Sequence, residues 1–192
     1  MNTVGILLTG GRSVRFGSPK AFAVNEQGHY FYEQSYQALA AVCDSVVIVT
    51  SKELFPRFPA SLHVITDLSA FQGMGPLAGI YSGMLELQAD RYVVLPCDMP
   101  FINKDVLSYI VEAAVDTMIC AVQIKEQKHP LVSCWHRAML VPLYGALVQN
   151  QYSVLKLIDT VKATWLDGEM FVDNACHIFR NINRPDQMKV VE

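Results

Sequence analysis

Short β-branched runs alternate with helix-period stretches along the whole chain. Thr3–Leu8 is a continuous apolar run that stops at a glycine pair, which predicts a buried strand. His29–Ala41 carries apolar residues at Phe31, Tyr32, Tyr36, Leu39 and Ala40, a helical spacing. Ser45–Thr50 (SVVIVT) reads as a strand, Leu62–Thr66 as a short one and Arg91–Pro96 as another buried one. Between them, Pro76–Ala89 predicts a helix with proline at its start and Leu77, Ile80, Tyr81, Met84 and Leu85 on one side. Lys104–Val115 predicts a helix capped by Asn103. Thr117–Ile124 and Leu131–Trp135 are strand-like; Arg137–Gln149 and Val154–Thr160 are helical; Asn183 is placed to cap a last helix with Pro185 in its first turn.

Strands that are apolar throughout and separated by helices pair in parallel with both faces covered. Right-handed crossovers then give an α/β, doubly wound, mostly parallel sheet. Ligands of such sheets bind beyond the carboxyl ends of the strands. The loops after Leu8, Thr50, Thr66 and Pro96 are therefore where chemistry is expected.

Composition narrows the picture. The chain has 192 residues, 52% of them apolar and 17% charged, with 11 Gly and 9 Pro. That predicts one domain over residues 1–192 with an ample core and no low-complexity tract. A formal net charge of -3 argues against a general nucleic-acid coat. No apolar run reaches the length of a membrane span, and the first residues lack the basic start of a signal peptide. The 5 cysteines show no CxxC pair and no zinc spacing, so buried reduced thiols in a cytoplasmic protein are expected.

The loop after the first strand, Thr9-Gly10-Gly11-Arg12-Ser13-Val14-Arg15-Phe16-Gly17-Ser18-Pro19-Lys20, holds Arg12, Arg15 and Lys20 and no carboxylate. Glycines let the backbone approach a ligand and turn N–H groups toward an anion. A cation about 4 Å from a phosphate gains on the order of 4 kcal/mol at an effective dielectric of 20. Concentrated positive charge in an acidic chain suits a triphosphate. The spacing is neither a Walker loop nor GxGxxG.

This stretch resembles the signature of the molybdenum cofactor guanylyltransferase family, a branch of the NTP-transferases with a Rossmann-like core. The similarity continues through Asp67, Gly73-Met74-Gly75-Pro76-Leu77-Ala78-Gly79-Ile80, Pro96-Cys97-Asp98-Met99-Pro100-Phe101, His129-Pro130-Leu131 and Asn181-Ile182-Asn183-Arg184-Pro185, in order and over nearly the whole chain. The resemblance implies transfer of GMP from GTP to the phosphate of molybdopterin, with Mg²⁺ and release of pyrophosphate. It implies a nucleotide-binding half over about 1–100 and an acceptor half over about 101–192. Leu8, Thr9, Gly10, Gly11, Lys20, Asp67 and Asp98 would bind GTP, and Lys20, Arg15 and Asp98 would be catalytic. Gly75, Pro76, Leu77, His129, Asn181 and Asn183 would lie on the pterin side. Thr9 stands where the family usually has Ala, and its hydroxyl either contacts the nucleotide or packs. Transient contacts with molybdenum-insertion proteins and molybdoenzymes are also implied, and no membrane or nucleic-acid partner.

By position alone, Asp98 is either a metal ligand at the end of a strand or a turn residue. The resemblance favours the metal. Asp67 is open in the same way, and there the resemblance favours the nucleotide. His129 falls in a polar loop, Lys125–His129, and reads as a contact residue rather than a base, because a phosphate acceptor is already ionised near neutral pH. Asn181 and Asn183 alternate on an extended segment and point to one face. Trp135 and Trp165 read as core or rim aromatics. Two alternatives stay open: a cytidylyltransferase acting on molybdopterin or a sugar-phosphate, and a nucleotide-binding protein without catalysis.

Overall fold

A computed structural model describes residues 1–10, 17–25, 27–183 and 187. Its centre is a seven-stranded sheet. The strands are β1 (Thr3–Leu8), β2 (Ser45–Thr50), β3 (Val64–Thr66), β4 (Arg91–Pro96), β5 (Ile119–Ile124), β6 (Gln127–His136) and β7 (Ala163–Asp167). Their spatial order is β3-β2-β1-β4-β6-β5-β7. β6 runs antiparallel to both its neighbours and the other pairings are parallel.

The two faces follow from strand alternation. Leu7, Ile48, Val93 and Leu95 point to one side and pack with Leu39, Leu107 and Ile110 of α1 (Phe31–Ala40) and α3 (Lys104–Ala113). Ile6, Val47, Val49 and Val94 point to the other, against Leu77 and Ile80 of α2 (Pro76–Glu86) and Leu143 and Leu157 of α4 (Leu140–Val148) and α5 (Val154–Ile158). A last short helix, α6 (Ala175–Ile178), adds Ala175 to the first layer. The sheet is thus doubly wound, as the apolar pattern predicts.

Several boundaries differ from the sequence expectation, each for a local reason. α1 begins at Phe31 rather than His29. Asn25 Oδ1 accepts from the N–H groups of Gln27 and His29, and Tyr30 bridges to Val24, so the chain is still turning there. The Glu33 carboxylate then accepts from the Tyr30 N–H and starts the helix. Asn103 caps α3 as expected, accepting from the N–H groups of Asp105 and Val106 at 3.1 Å each. The expected strand Leu131–Trp135 extends back to Gln127, so His129 lies in a strand and not in a loop. β7 was not expected. It is a short edge strand, half-buried at best, with little apolar signal. The proposed last helix after Asn183 starts on residues outside those described.

Two glycines bring α2 onto the sheet edge. Gly75, just before the helix, has φ of 80°, a conformation costly for any other residue. At Gly79 a Cβ would stand 2.9 Å from Leu8 Cδ2 and 3.6 Å from Asp67 Oδ1. The missing side chain lets α2 lie directly behind the ends of β1 and β3.

Candidate active site

The carboxyl edge of the sheet opens into a cleft of about 1220 Å³. Leu8, Thr9, Gly10, Lys20, Asp67, Gly75, Pro76, Asp98, His129 and Asn181 all line it. Residues brought from β1, β3, β4, β6 and the C-terminal segment therefore meet at one place. Gly11 and Arg15 lie outside the described residues. Leu77 departs from the expectation: it is fully buried in the layer between α2 and the sheet, so its side chain serves the core and not the cleft.

Lys20 is at the centre. It opens a single 3-10 turn, Lys20–Phe22, after Pro19. Its ammonium donates to Asp98 Oδ2 at 3.2 Å and to Asn183 Oδ1 at 2.6 Å. The Lys20 and Asp98 side chains are 16% and 27% exposed, so the pair is shielded yet open to a ligand. Asp98 itself sits just past β4. Its carbonyl accepts from the Ile182 N–H at 2.8 Å, which staples the C-terminal segment to the strand end. Asn183 thus contributes through Lys20.

The β1 end is held tightly. Both the N–H and the Oγ1 of Thr9 donate to the Val49 carbonyl, at 2.9 and 3.1 Å. The Thr9 hydroxyl is therefore engaged with β2, and packing is its role. The Cys97 N–H donates to the Leu8 carbonyl at 3.0 Å, tying β4 to the same point.

Electrostatics differ among the cleft groups. Burial pushes the Asp67 carboxyl above the usual carboxylate range, partly opposed by a hydrogen bond from the Gly73 N–H at 3.2 Å. Burial pushes His129 below the ordinary histidine value, so its imidazole is neutral at pH 7. Burial also pushes the Cys97 thiol far up, which leaves it protonated and unreactive. At the β2 end Ser51 and Glu53 line the cleft, and a hydrogen bond with Ser51 holds the Glu53 carboxyl below its ordinary value. Neither was singled out from sequence; a lone Ser-x-Glu carries no signal there. Gln127 and Lys128 also line the cleft, with the Lys128 ammonium 4.7 Å above the Trp165 ring.

Among the described residues, no three His, Cys, Asp or Glu side chains gather into a closed metal cage. Asp98, a carboxylate on the cleft just past β4, has the chemistry of a donor to a hard cation such as Mg²⁺ that takes its remaining ligands from substrate phosphates and water.

A doubly wound sheet with lysine, aspartates and a glycine-rich approach at its carboxyl edge defines a nucleotidyltransferase. Residues 5–163 match the MobA-like NTP transferase domain, and the chain belongs to that family. It is 35% identical to a protein of Halalkalibacterium halodurans named probable molybdenum cofactor guanylyltransferase, over 98% of this chain and 96% of that one. A Bacillus subtilis protein of the same name is 33% identical, over 100% and 96%. Among solved structures, molybdopterin-guanine dinucleotide biosynthesis protein A from Archaeoglobus fulgidus superposes with a TM-score of 0.80 at 22% identity, over 96% of this chain and 94% of that one.

Proposed function

We propose that this chain transfers GMP from GTP to the phosphate of molybdopterin, forming the guanine dinucleotide cofactor and pyrophosphate. The names of the relatives supply the substrates. The observation that carries the chemistry is the Lys20 ammonium held between Asp98 and Asn183 in the cleft.

An acceptor phosphate oxygen attacks the α-phosphorus, and the bond from that phosphorus to the bridging oxygen of pyrophosphate breaks. The nucleophile is already anionic, so the protein's task is placement and charge neutralisation rather than proton removal. Lys20 offers a preorganised cation to the phosphates, exchanging its bond to Asp98 for one to the ligand. Leu8, Thr9, Gly10 and Gly11 present backbone to the nucleotide, and Arg15 adds a second cation. Asp98 would hold Mg²⁺, which when bound neutralises charge on the phosphate oxygens, and Asp67 would contact the nucleotide. Residues of about 1–100 form the nucleotide half and about 101–192 the acceptor half; His129, Asn181 and Asn183 of the second half, with Gly75 and Pro76 of the first, face the acceptor. Transient contacts with molybdenum-insertion proteins and molybdoenzymes, in the cytoplasm, complete this reading. Among the described residues no helix is long and apolar enough to cross a membrane.

Calorimetry with GTP, CTP and ATP, each with and without Mg²⁺, followed by pyrophosphate release in the presence of molybdopterin, tests the proposal. Selective, Mg²⁺-enhanced GTP binding and GTP-dependent release are expected. A preference for CTP would move the enzyme to the cytidylyl class, and binding without release would make it a carrier.

A further inference from the structure

The helix α4 has no wet face. Its sequence is LVPLYGALV, and the tyrosine hydroxyl is its one polar side-chain group. Leu143, Ala146 and Leu147 turn inward and are buried. The opposite side of a surface helix is ordinarily charged or polar. Here Val141 is 77% exposed, Val148 55% and Tyr144 51%. Their spacing of i, i+3 and i+7 lays them in one stripe along the helix. Tyr144 is also held in place, with the Tyr81 and Phe71 rings 5.9 and 6.1 Å away. A helix that is apolar all round belongs in an interior, and a contiguous apolar stripe marks a surface that another body covers.

Gly145 is an independent sign. It lies in the same stripe, four residues after Val141. The helical glycines of α2 have a reason inside the molecule: a Cβ would stand 2.9 Å from Leu8 at Gly79 and 3.0 Å from Ile6 at Gly83. At Gly145 a Cβ would meet nothing within 4 Å. Glycine is a poor residue for a helix interior, and no packing among the described residues explains it there. On an outer face it lets a second helix approach closely, because the side chains at the contact set the distance between two axes.

Charge says what covers the stripe. The chain holds 15 Lys and Arg and 18 Asp and Glu, yet not one falls between Arg137 and Lys156. Around a two-fold axis a patch meets its own copy, so any charge near the axis would face its like. A neutral apolar stripe with a glycine in it is complementary to itself. A charged partner would find no counter-charge on it. Exposed Tyr152 and Leu155 follow at one end, and exposed Leu85 of α2 shares a shallow groove with Leu140 at the other. These widen the patch toward the about 800 Å² that each partner of a stable dimer contributes. Gln187, the last described residue, is bonded to Asn183 and Arg180 beside α6, on the other face of the sheet. That favours a second copy over the chain's own end as the cover.

We infer that α4 is a homodimer interface: Val141, Tyr144, Gly145 and Val148 pack across a two-fold axis on the same stripe of a second copy, with the two helices closest at Gly145.

Sedimentation equilibrium of the full chain tests this, with Val148→Lys, Gly145→Leu and, as control, Val115→Lys. None of these positions lines the cleft. Val115 is 69% exposed and follows α3, on the other face of the sheet. Wild type is expected at twice the chain mass, with a Kd below about 10 µM. Val148→Lys is expected to raise Kd by about a hundredfold or more, since two lysines then meet across the axis. Gly145→Leu is expected to raise it by about tenfold or more by forcing the helices apart, while its own helix is no less stable. Val115→Lys stays dimeric, and circular dichroism keeps the native form in all three. Wild type at the mass of one chain at about 100 µM, well above that Kd, overturns the inference. So does a dimer that neither α4 variant weakens, which would place the contact on another face.

Discussion

The two edges of the sheet treat polar groups in opposite ways. At the amino edge, side chains repair the backbone. Asp44 Oδ2 accepts from the Thr3 N–H at 2.8 Å and Asp90 Oδ2 from the Asn2 N–H at 3.0 Å. Arg91 Nη1 donates to the Thr117 carbonyl at 2.9 Å, and the Thr117 hydroxyl reaches the carbonyls of Ile119 and Lys162. At the carboxyl edge, hydrogen-bonding capacity is left over. Among the described residues, Thr50 Oγ1 is buried without a partner, Asp67 accepts one bond of 3.2 Å, and His129 lines the cleft with no hydrogen bond. The amino edge is not perfect, since Arg91 Nε also finds no partner among the described residues. The contrast still locates function: strand ends that must only be stable are closed by the chain, while those that must bind are left for a ligand to complete.

Charge at the carboxyl edge gives the sharpest way to break this comparison. In Asp98→Asn the amide oxygen still accepts from Lys20, so the fold and the staple at Ile182 stay. The charge for the metal is gone. Mg²⁺-dependent pyrophosphate release is expected to fall by about 10³-fold, with the melting midpoint unchanged. Full activity would remove Asp98 from the metal site. Lys20→Ala is expected to cost about 10²-fold in kcat/KM, because two carboxyl-edge partners, Asp98 and Asn183, lose their shared cation as the phosphates do. Wild-type kinetics in that variant would mean that Lys20 only anchors the C-terminal segment.

The amino edge predicts the reverse split. Asp44→Ala leaves the Thr3 N–H without its acceptor at the start of β1. A loss of about 1 kcal/mol is expected, which lowers the melting midpoint by roughly 2–4 °C. Below that midpoint kcat/KM should match wild type. A variant of Asp44 that lost activity without losing stability would erase the distinction between the edges.

How much of this was legible in the sequence follows the same division. The parallel strands read clearly because they are buried on both faces: SVVIVT admits little else, and β1, β2 and β4 fall on the expected residues. The loops after them carry the expected site residues for the same reason. β7 was invisible because an edge strand needs no apolar alternation, and Ala163–Asp167 has little. Pro130 hid the length of β6, since proline normally ends a ladder. The bulge that accommodates it depends on pairing with residues up to a dozen positions away. Leu77 was misread because a motif does not say which of its side chains face inward. In the first turn of α2 the sheet takes that one. The link from Lys20 to Asn183 spans 163 positions and follows from no local pattern.

Asp67 gives the smallest effect and the finest test of leftover capacity. Its folded-state pKa is raised, chiefly by burial, above the ordinary 3.8. The folded state therefore holds that proton more firmly than the unfolded chain does. By linkage, Asp67 favours folding below pH 3.8 and that benefit is lost as pH rises through the folded value. At pH 7 the charged carboxylate is carried at a cost that a bound cation or ligand donor relieves. Asp67→Asn removes the charge and keeps an acceptor for the Gly73 N–H. At pH 7 its melting midpoint is expected to exceed wild type by about 1–2 °C, and the gain should vanish as the pH is taken down toward 3.8. GTP affinity in the presence of Mg²⁺ should weaken a few-fold at the same time. A stabilised variant with undiminished GTP binding would show that the burial cost at Asp67 serves no ligand, and the contrast between the two edges would then rest on Thr50 and His129 alone.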